Sequence, residues 1–387
     1  MNITICTLLG LITASVGLAA EQKYQFSDGK ENFERVHEMI LKEHMNPVDR
    51  ERLYQAATQG MLKALNEDGK NWNTLMNPSE LEEFAGNMGG EIIGIGVGMK
   101  FISETGTAAI HQVIQDSPAQ KAGLQIGDQI ISVNGQSFRG KDQTQMLGEI
   151  RGPEGKKITV KILRQDTVFE KEIELKKIAW DSVETKRLSD NIAMLKIRAF
   201  NKSSPALVEK HLKELNNKIK ALVLDLRHNN GGIFDMAVAS TEHFLPKGKV
   251  IAVIRGRDGK TQTLIAQKSP LIQVPIAVLI NSNTSAGAEL LAVNLKEHLN
   301  AQLVGEKSFG KWNSQIIRKL PNNFAVKMTV YEFLSPRQNS YQNVGLAPDV
   351  RIAAPILPGF LKASALTSKD EMDPQVKTAI LLLQKRI

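Results

Sequence analysis

The sequence predicts a multidomain α+β protein, and three observations lead to this class. First, a chain of 387 residues with 42% hydrophobic side chains can form two or three domains, each with its own core. Second, two continuous apolar segments, Ala221–Arg227 and Val274–Ile280, each lead into a polar turn and then a segment of helical periodicity, as in an α/β core. Third, short β segments separated by glycine-containing turns between about residues 89 and 165 indicate a separate small β domain.

Helical periodicity is expected on both sides of these domains. Residues 33–83 carry apolar side chains at helical spacing, and the polar stretch Asn66–Asn77 is expected to be a loop between helices. An amphipathic helix is expected within Ser368–Ile387, packed on the core or on a neighbouring subunit of a homo-oligomer. The apolar positions are Val36, Met39 and Ile40, then Leu53, Ala56, Met61 and Leu65, and finally Val376, Ile380, Leu381 and Leu383.

The first twenty residues have features of an export signal. An apolar run from Thr7 to Leu18 is too short to span a bilayer and is followed by Ala19 and Ala20. No Lys or Arg precedes the run, so an uncleaved membrane anchor is the alternative. Cys6 is the only cysteine, so a chain cleaved after this segment has no disulfide. We expect a protein exported to the periplasm or cell envelope.

The charge pattern argues against nucleic acid as a partner. The chain has 49 basic and 41 acidic residues, a formal net charge of +8, and the charges are interspersed. It contains no Lys/Arg tract and no zinc-finger spacing. The positive surplus is compatible with weak association with an anionic membrane surface.

The turn after the second apolar strand, Asn281–Glu289, is the strongest candidate for chemistry. A hydroxyl on a strand-to-helix turn projects from the sheet and faces helix amides that can stabilise an oxyanion. Ser285 lies on this turn, ahead of a helix expected over Glu289–His298. Serine before a helix is also commonly only an N-cap.

A second candidate lies on the loop Gly305–Lys311, which follows the short strand Gln302–Gly305. If Lys311 is buried, desolvation lowers its pKa and lets it take a proton from serine without a histidine. The seven histidines form no HExxH pattern, and with a single cysteine the chain shows no zinc-peptidase signature. No metal or organic cofactor is expected.

These residues resemble the carboxyl-terminal processing (tail-specific) protease family, and the resemblance extends from about Leu62 to Ile352. Such enzymes carry Ser-Ala-Ser-Glu at the turn, Thr-Phe-Gly-Lys on the loop and a glutamine four residues after the lysine. Lys311 and Gln315 match in type and spacing, and Glu289 fixes the register. The resemblance implies a serine endopeptidase with a Ser/Lys dyad, in which Lys311 is the general base and Gln315 orients it.

The chain departs from the family pattern at the nucleophile. The family serine lies three residues before the glutamate and twenty-five before the lysine; that position is Ala286 here, and Ser285 is one residue early. Ser285 could be the nucleophile on a shifted turn, or only an N-cap. Alternatively Ala286 replaces the serine, which makes the chain a catalytically silent peptide-binding pseudoprotease or an inactivated variant. The Ser/Thr-x-x-Glu spacing of a capping box is completed by a hydroxyl at 286, which favours replacement.

Two further segments match the family. Arg227 is followed by His-Asn-Asn and then by Gly231 and Gly232, a pair that lets the backbone approach a ligand. The resemblance implies that one of these glycines, with the turn amide at Gly287, forms the oxyanion hole; an ordinary strand-to-helix turn is the alternative. Val344–Val350 resembles the family's closing Gly-x-x-Pro-Asp segment.

The small β domain resembles a PDZ domain. A glycine-rich loop of this kind binds a peptide carboxylate through its amides, while the peptide adds a strand to the sheet edge. Ser117–Gly123 and Gly127–Gly135 match a helix cap and a strand that ends in Asn-Gly. Peptides or proteins with free C-termini are the implied substrates. The peptide-binding candidates are Gly94, Ile95, Gly96, Val97 and Gly98.

The resemblance implies a domain order along the chain. Residues 1–20 are the expected signal peptide, residues 21–86 an N-terminal helical region and residues 87–168 a PDZ β-barrel-like domain. Residues 169–357 form the expected α/β (crotonase/ClpP-like) protease core, and residues 358–387 a helical tail. The catalytic candidates are Ser285, Ala286, Lys311 and Gln315, and the oxyanion candidates are Gly231, Gly232 and Gly287.

Overall fold

The structure is a computed structural model that describes residues 27–66, 72–102, 105–141, 143–179, 181–353 and 373–387. It divides into two compact units, the first ending at Leu65 and the second beginning at Asn66. The expected signal peptide, residues 1–20, and residues 358–372 of the expected tail lie outside the described residues. Among the helices of the described residues, none combines the length and apolar character needed to cross a membrane.

The first unit contains two helices, α1 (Ser27–Glu43) and α2 (Arg50–Ala64). Asp49 caps α2 by accepting the Glu51 N–H at 3.0 Å. The His37 ring of α1 stacks on the Tyr54 ring of α2, with centroids 4.9 Å apart. The helices expected in this part of the sequence are therefore present.

The stretch Asn66–Asn77, expected to be a loop, contains a strand. β1 (Thr74–Met76) pairs antiparallel with β18 (Ala325–Leu334). Helix α3 (Pro78–Gly89) follows directly and begins with a capping box formed by Asn77 and Glu80. The expectation of a loop is wrong for residues 74–76, because a three-residue strand is too short to show alternation and its partner lies far along the chain; residues 67–71 lie outside the described part of the chain.

Residues 91–179 form the small β domain. Its elements are β2 (Glu91–Gly94), β3 (Val97–Ile102), β4 (Thr107–Val113), α4 (Pro118–Lys121), β5 (Gln129–Val133), β6 (Gln136–Ser137), α5 (Gln143–Ile150), β7 (Lys157–Arg164), β8 (Thr167–Glu174) and β9 (Lys176–Ala179). The main sheet has the order β3-β4-β5-β7-β8, with β6 beside β5, and β3 forms one edge. Strand β9 pairs with β2 in a separate two-stranded sheet. The domain therefore extends beyond the expected boundary at residue 168.

The α/β core is built on a six-stranded sheet. Its strands, in spatial order, are β10 (Val183–Arg187), β11 (Ile192–Ile197), β12 (Ala221–Asp225), β15 (Ile276–Ile280), β16 (Gln302–Gly305) and β19 (Val350–Arg351). All neighbouring strands are parallel except β10 and β11. Every residue of β12 and β15 is buried, which explains why both strands are apolar in sequence except for Asp225 at the end of β12.

A second sheet contains the strand contributed by the Asn66–Asn77 stretch. Its remaining strands are β13 (Val250–Gly256), β14 (Thr261–Ile265) and β17 (Asn313–Lys319), and a short 3-10 turn, Pro321–Asn323, joins β17 to β18. The order is β1-β18-β13-β14, with β17 also paired to β18. This sheet brings β1 and β17 onto a common partner, β18.

Helices cover both faces of the six-stranded sheet. They are α6 (Ser204–Leu215), α7 (Phe234–Glu242), α8 (Gly287–Leu299) and α9 (Pro374–Gln384). Leu222 and Leu224 of β12 pack in one apolar cluster with residues of α6, α7 and α8, while the alternate residues Ala221 and Val223 pack with α9. The expected C-terminal amphipathic helix and its packing on the core are confirmed.

The first turn of α9 is attached to the strand that leads into the paired glycines. Arg227 Nη1 donates to Asp373 Oδ2 at 2.5 Å and to Gln375 Oε1 at 2.8 Å. The same guanidinium also contacts the buried Asp225 carboxylate, with Nη2 2.9 Å from Oδ2. These charge-assisted bonds hold α9 at the carboxyl end of β12.

Candidate active site

The turn after β15 is bonded to the turn after β12, at the carboxyl ends of two adjacent parallel strands. Asn281 Oδ1 accepts the His228 N–H at 3.0 Å, and the Ser285 N–H donates to the Asn229 carbonyl at 2.9 Å. This is the edge of an open α/β sheet at which ligands commonly bind. The two segments singled out from the sequence therefore lie side by side.

Ala286 has a backbone conformation that alanine rarely adopts. Its φ is 52° and its ψ is −118°, and α8 begins at the next residue. A strained residue on a strand-to-helix turn is the geometry that exposes a nucleophile in other hydrolases, and such strain costs about 1–3 kcal/mol. Gly231 packs against this residue, because a Cβ at 231 would lie 2.9 Å from Ala286 Cβ. Position 286 thus combines a strained backbone on a strand-to-helix turn with a methyl side chain.

Ser285 lies one residue earlier, and its hydroxyl is engaged. The Oγ donates to the Asn230 carbonyl at 3.0 Å, and the residue is 6% exposed. The residue at the N-cap position of α8 is Ala286, not Ser285. The interpretation of Ser285 as a helix N-cap is therefore wrong, because the helix begins one residue later than that interpretation requires.

Glu289, in the first turn of α8, joins this turn to the lysine loop. Its fully buried carboxylate accepts from the Ala286 N–H at 3.0 Å, the Lys311 N–H at 2.9 Å, the Gly310 N–H at 2.8 Å and the Ser308 hydroxyl at 2.5 Å. Burial raises the pKa of Glu289, and these donors oppose the rise. Ala286 and Lys311 are held through the same carboxylate oxygen.

Lys311 carries its amine in a desolvated position. Its Nζ donates to Gln315 Oε1 at 2.8 Å, and among the described residues no carboxylate forms an ion pair with it. Burial, with a smaller contribution from the positive charge of Lys327, lowers the pKa of Lys311 to about 8. Gln315 Nε2 in turn donates to Asn313 Oδ1 at 2.8 Å and to Thr329 Oγ1 at 3.1 Å, which orients the amide.

The three expected oxyanion donors differ in availability. The Gly231 N–H donates to Asn229 Oδ1 at 2.8 Å and is already engaged. Within the described part of the chain, the N–H groups of Gly232 and Gly287 have no protein acceptor. Gly287 is the first residue of α8, where the helix dipole favours negative charge. Of the two adjacent glycines, only Gly232 therefore has an amide without a protein acceptor among the described residues.

The glycine-rich loop of the β domain lies between β2 and β3. Gly96 has a φ of 85°, and a Cβ there would lie 2.3 Å from Ser117 Cβ, so glycine is required. The carbonyl of Ile95 accepts the Ala119 N–H at 2.8 Å, and the Ile95 side chain is buried in the domain core. Val97 begins β3, the edge strand beside which an added strand can pair.

Sequence reasoning missed two residues that contact the lysine network. The Trp72 ring centroid lies 4.4 Å from Lys311 Nζ, and Asn73 Oδ1 accepts the Thr329 N–H at 2.8 Å. Both belong to the stretch that the sequence predicts as a polar loop. The available signal is a tryptophan, one of three in the chain, within a polar segment.

Comparisons with known proteins bear on the family to which the chain belongs. The profile of peptidase family S41 matches residues 191–352, and a PDZ domain profile matches residues 110–164. The chain is 30% identical over 385 residues to the carboxy-terminal processing protease CtpB of Bacillus subtilis, an alignment that covers 96% of this chain and 78% of that protein. The chain belongs to the carboxy-terminal processing protease family.

Other carboxy-terminal processing proteases show the same relationship. CtpA of Bacillus subtilis is 27% identical over 380 residues, covering 96% of this chain and 80% of that protein. The solved structure of a photosystem II D1 C-terminal processing protease superposes with a TM-score of 0.56 at 22% identity, covering 84% of this chain and 88% of that chain. The predicted family and the multidomain α+β fold class are confirmed.

Proposed function

We propose that position 286 and Lys311 form a site that hydrolyses peptide bonds near the C-termini of proteins when a serine stands at 286. The observation that carries the proposal is the Lys311 amine, which is buried, held by Gln315, and placed on the loop that shares Glu289 with the strained turn. A buried lysine that no carboxylate neutralises, among the described residues, serves no structural ion pair. Such a lysine is suited to proton transfer.

With a serine at 286, the neutral Lys311 amine takes the hydroxyl proton while the oxygen attacks the substrate carbonyl. Negative charge develops on the carbonyl oxygen, and the amides of Gly232 and Gly287 are the donors proposed to stabilise it. The lysine ammonium then donates its proton to the leaving amine. Water, activated by the same amine, hydrolyses the acyl-enzyme.

The proton affinity of Lys311 supports this role. With a pKa of about 8, about one tenth of the Lys311 amines are neutral at pH 7, against about one in 3,000 for a lysine with the ordinary value of 10.5. The lowered pKa therefore raises the population of the reactive form by more than two orders of magnitude. A general base with a pKa near the working pH is also the most effective one.

The β domain supports selection of substrates by their C-termini. Its glycine-rich loop, Gly94–Gly98, and the open edge of β3 together provide backbone groups for a terminal carboxylate and for an added strand. We propose that a C-terminal segment docks there before an unfolded region reaches Lys311. Peptides and unfolded proteins are the proposed substrates.

A second function is favoured by the side chain at position 286 of this chain. Ala286 has no hydroxyl, and the Ser285 hydroxyl donates to the Asn230 carbonyl. The lysine, the free amides and the β domain are all retained. With alanine at 286, we therefore expect the chain to bind peptide without cleaving it.

The proposal is tested by cleavage of an unfolded protein with an apolar C-terminal tail. The chain itself, its Ala286→Ser variant, and each of these with Lys311→Ala are compared. We expect cleavage only with Ala286→Ser, a gain on the order of 10⁴-fold that Lys311→Ala abolishes. Adding Ser285→Ala to Ala286→Ser is the control and is expected to leave cleavage intact.

Other outcomes assign the site differently. Cleavage by the unaltered chain that Ser285→Ala abolishes would make Ser285 the nucleophile. Peptide binding without cleavage by the Ala286→Ser variant would leave only the binding function.

Export is part of the proposed function and rests on the apolar run Thr7–Leu18. Fractionation of expressing cells tests it, since a cytosolic product would contradict export.

A further inference from the structure

Trp72 lies on the chain just before β1 and covers the Lys311 amine. The Nζ is 4.4 Å from the ring centroid, within the range of a cation–π contact. The Trp72 ring also contacts the ring of Phe309 on the lysine loop edge to face, with centroids 6.1 Å apart and an interplanar angle of 83°. The indole thus lies against both the lysine and the loop that carries it.

Asn73, the next residue, joins the same segment to the other side of the lysine. Asn73 Oδ1 accepts the Thr329 N–H at 2.8 Å, Thr329 Oγ1 accepts from Gln315 Nε2 at 3.1 Å, and Gln315 Oε1 accepts from Lys311 Nζ. Asn66 Oδ1 accepts the Asn73 N–H at 2.8 Å and Nδ2 at 3.0 Å, which fixes Asn73. This polar chain and the Trp72 ring both reach Lys311 from the segment that pairs with β18.

We propose that Trp72 is a positioning residue for the reaction: its ring shields the Lys311 amine from water and holds it beside Gln315. The proposal rests on the role proposed above for Lys311 as general base. It assigns a chemical function to a segment that would otherwise only add a three-residue strand to the second sheet. It also makes Trp72, two residues before β1, part of the environment of the Lys311 amine.

The ring acts on the amine in two opposed ways. Its bulk removes water, which disfavours the charged form, while its π face attracts the ammonium, which favours the charged form. The other charged group that faces the amine is Lys327 of β18, and the Glu289 carboxylate binds the backbone N–H of Lys311. Burial is the largest cause of the lowered pKa of Lys311, and the Trp72 ring is among the groups that bury the amine, so we expect its shielding to outweigh its attraction.

Three substitutions separate the two effects. Trp72→Ala admits water, and we expect the pKa of Lys311 to rise by more than one unit, which lowers its reactivity at pH 8 by more than about fivefold. Trp72→Leu retains apolar bulk without a π face, and we expect the pKa to fall by about half a unit. Trp72→Phe retains a ring and is expected to behave like the unaltered chain.

The measurement is competitive labelling with acetic anhydride across pH, with the modification of each lysine read by mass spectrometry. It uses the chain as it exists, with Ala286 in place, so it reports on Lys311 whether or not any peptide is cleaved. Lys260, whose side chain is 87% exposed, serves as the reference for reagent activity. Lys311→Ala identifies the Lys311 signal.

The outcomes are distinct from those of the cleavage test. The proposal is supported if the pKa of Lys311 rises in Trp72→Ala, or if it falls in Trp72→Leu but not in Trp72→Phe. Either result counts even if Ala286→Ser never cleaves. An unchanged Lys311 titration in every Trp72 variant that folds, with changes only in thermal stability, overturns it even if Ala286→Ser cleaves. If Trp72→Ala does not fold, the Leu and Phe variants still decide the question.

Discussion

The candidate site has two halves, the lysine loop Gly305–Lys311 and the turn at position 286, and both are bonded to the carboxylate of Glu289. They differ in which of the side chains proposed for catalysis are present. On the lysine loop, the Lys311 amine donates to Gln315 and lies against the ring of Trp72, so every group proposed for proton transfer is present. The turn at 286 has the strained backbone and an available amide at Gly287, but the side chain there is a methyl group. Both halves donate backbone N–H groups to Glu289.

This difference shows that the geometry of the turn does not depend on a hydroxyl. Ala286 keeps a φ of 52° because its N–H is bonded to Glu289 and because its neighbour Ser285 is bonded to the turn after β12. Strain of this kind persists only where surrounding contacts impose it. The backbone of the turn therefore does not depend on the side chain at 286, and we expect Ala286→Ser to leave it unchanged.

We expect the largest loss of stability when the carboxylate of Glu289, which accepts from both the turn at 286 and the lysine loop, is removed. Glu289→Ala leaves four buried donors without an acceptor, and we expect a loss of about 3–5 kcal/mol in the free energy of unfolding. Urea denaturation measures this loss. Glu297→Ala is the matched control on the same helix, because Glu297 accepts only from Ser335 Oγ and the Arg337 N–H and is partly exposed; about 1 kcal/mol is expected. Equal losses would show that Glu289 does not join the two halves.

We expect an intermediate loss of stability when the Gly232 backbone, whose N–H is one of the two proposed oxyanion donors, is altered. Gly232→Ala places a Cβ 2.2 Å from the Phe200 carbonyl at a φ of 142°, and we expect a loss of roughly 3 kcal/mol together with loss of cleavage in the Ala286→Ser background. Gly248→Ala is the control, with a φ of 86° and no heavy atom within 4 Å, and should cost about 1 kcal/mol. Thermal melting and cleavage assays measure both variants. Retained cleavage by Gly232→Ala would remove this amide from the proposed oxyanion hole.

The smallest predicted change is a shift in the pH dependence of cleavage, which reports the pKa of Lys311. In the Ala286→Ser background, the rate rises with pH as Lys311 loses its proton and levels off above its pKa of about 8. Lys327→Met removes a like charge that lowers this pKa, so the rising limb should move to higher pH by about half a unit. Lys319→Met, at the exposed far end of β17, should leave the profile in place. A shift to lower pH after Lys327→Met would contradict the assignment.

Much of the fold was predictable because its signals are local. β12 and β15 are continuous apolar runs, each ends in a turn with its own residue pattern, and α7 and α8 follow with helical periodicity. The spacing from Glu289 to Lys311 and Gln315 placed the two halves of the site in register. The spacing of a capping box also singled out position 286, the residue with the strained backbone.

From the sequence alone one could predict which segments form the core and which loop carries the lysine, and the family resemblance singled out position 286 as the candidate nucleophile position, with Ser285 as the alternative. Only the tertiary structure decided that the Ser285 hydroxyl bonds to Asn230, that the Gly231 amide is engaged, and that Trp72 covers Lys311. The physical reason is distance along the chain. Strand and helix signals arise from neighbouring residues, whereas an acceptor for a buried hydroxyl or a cover for a buried amine comes from whichever segment packing brings beside it.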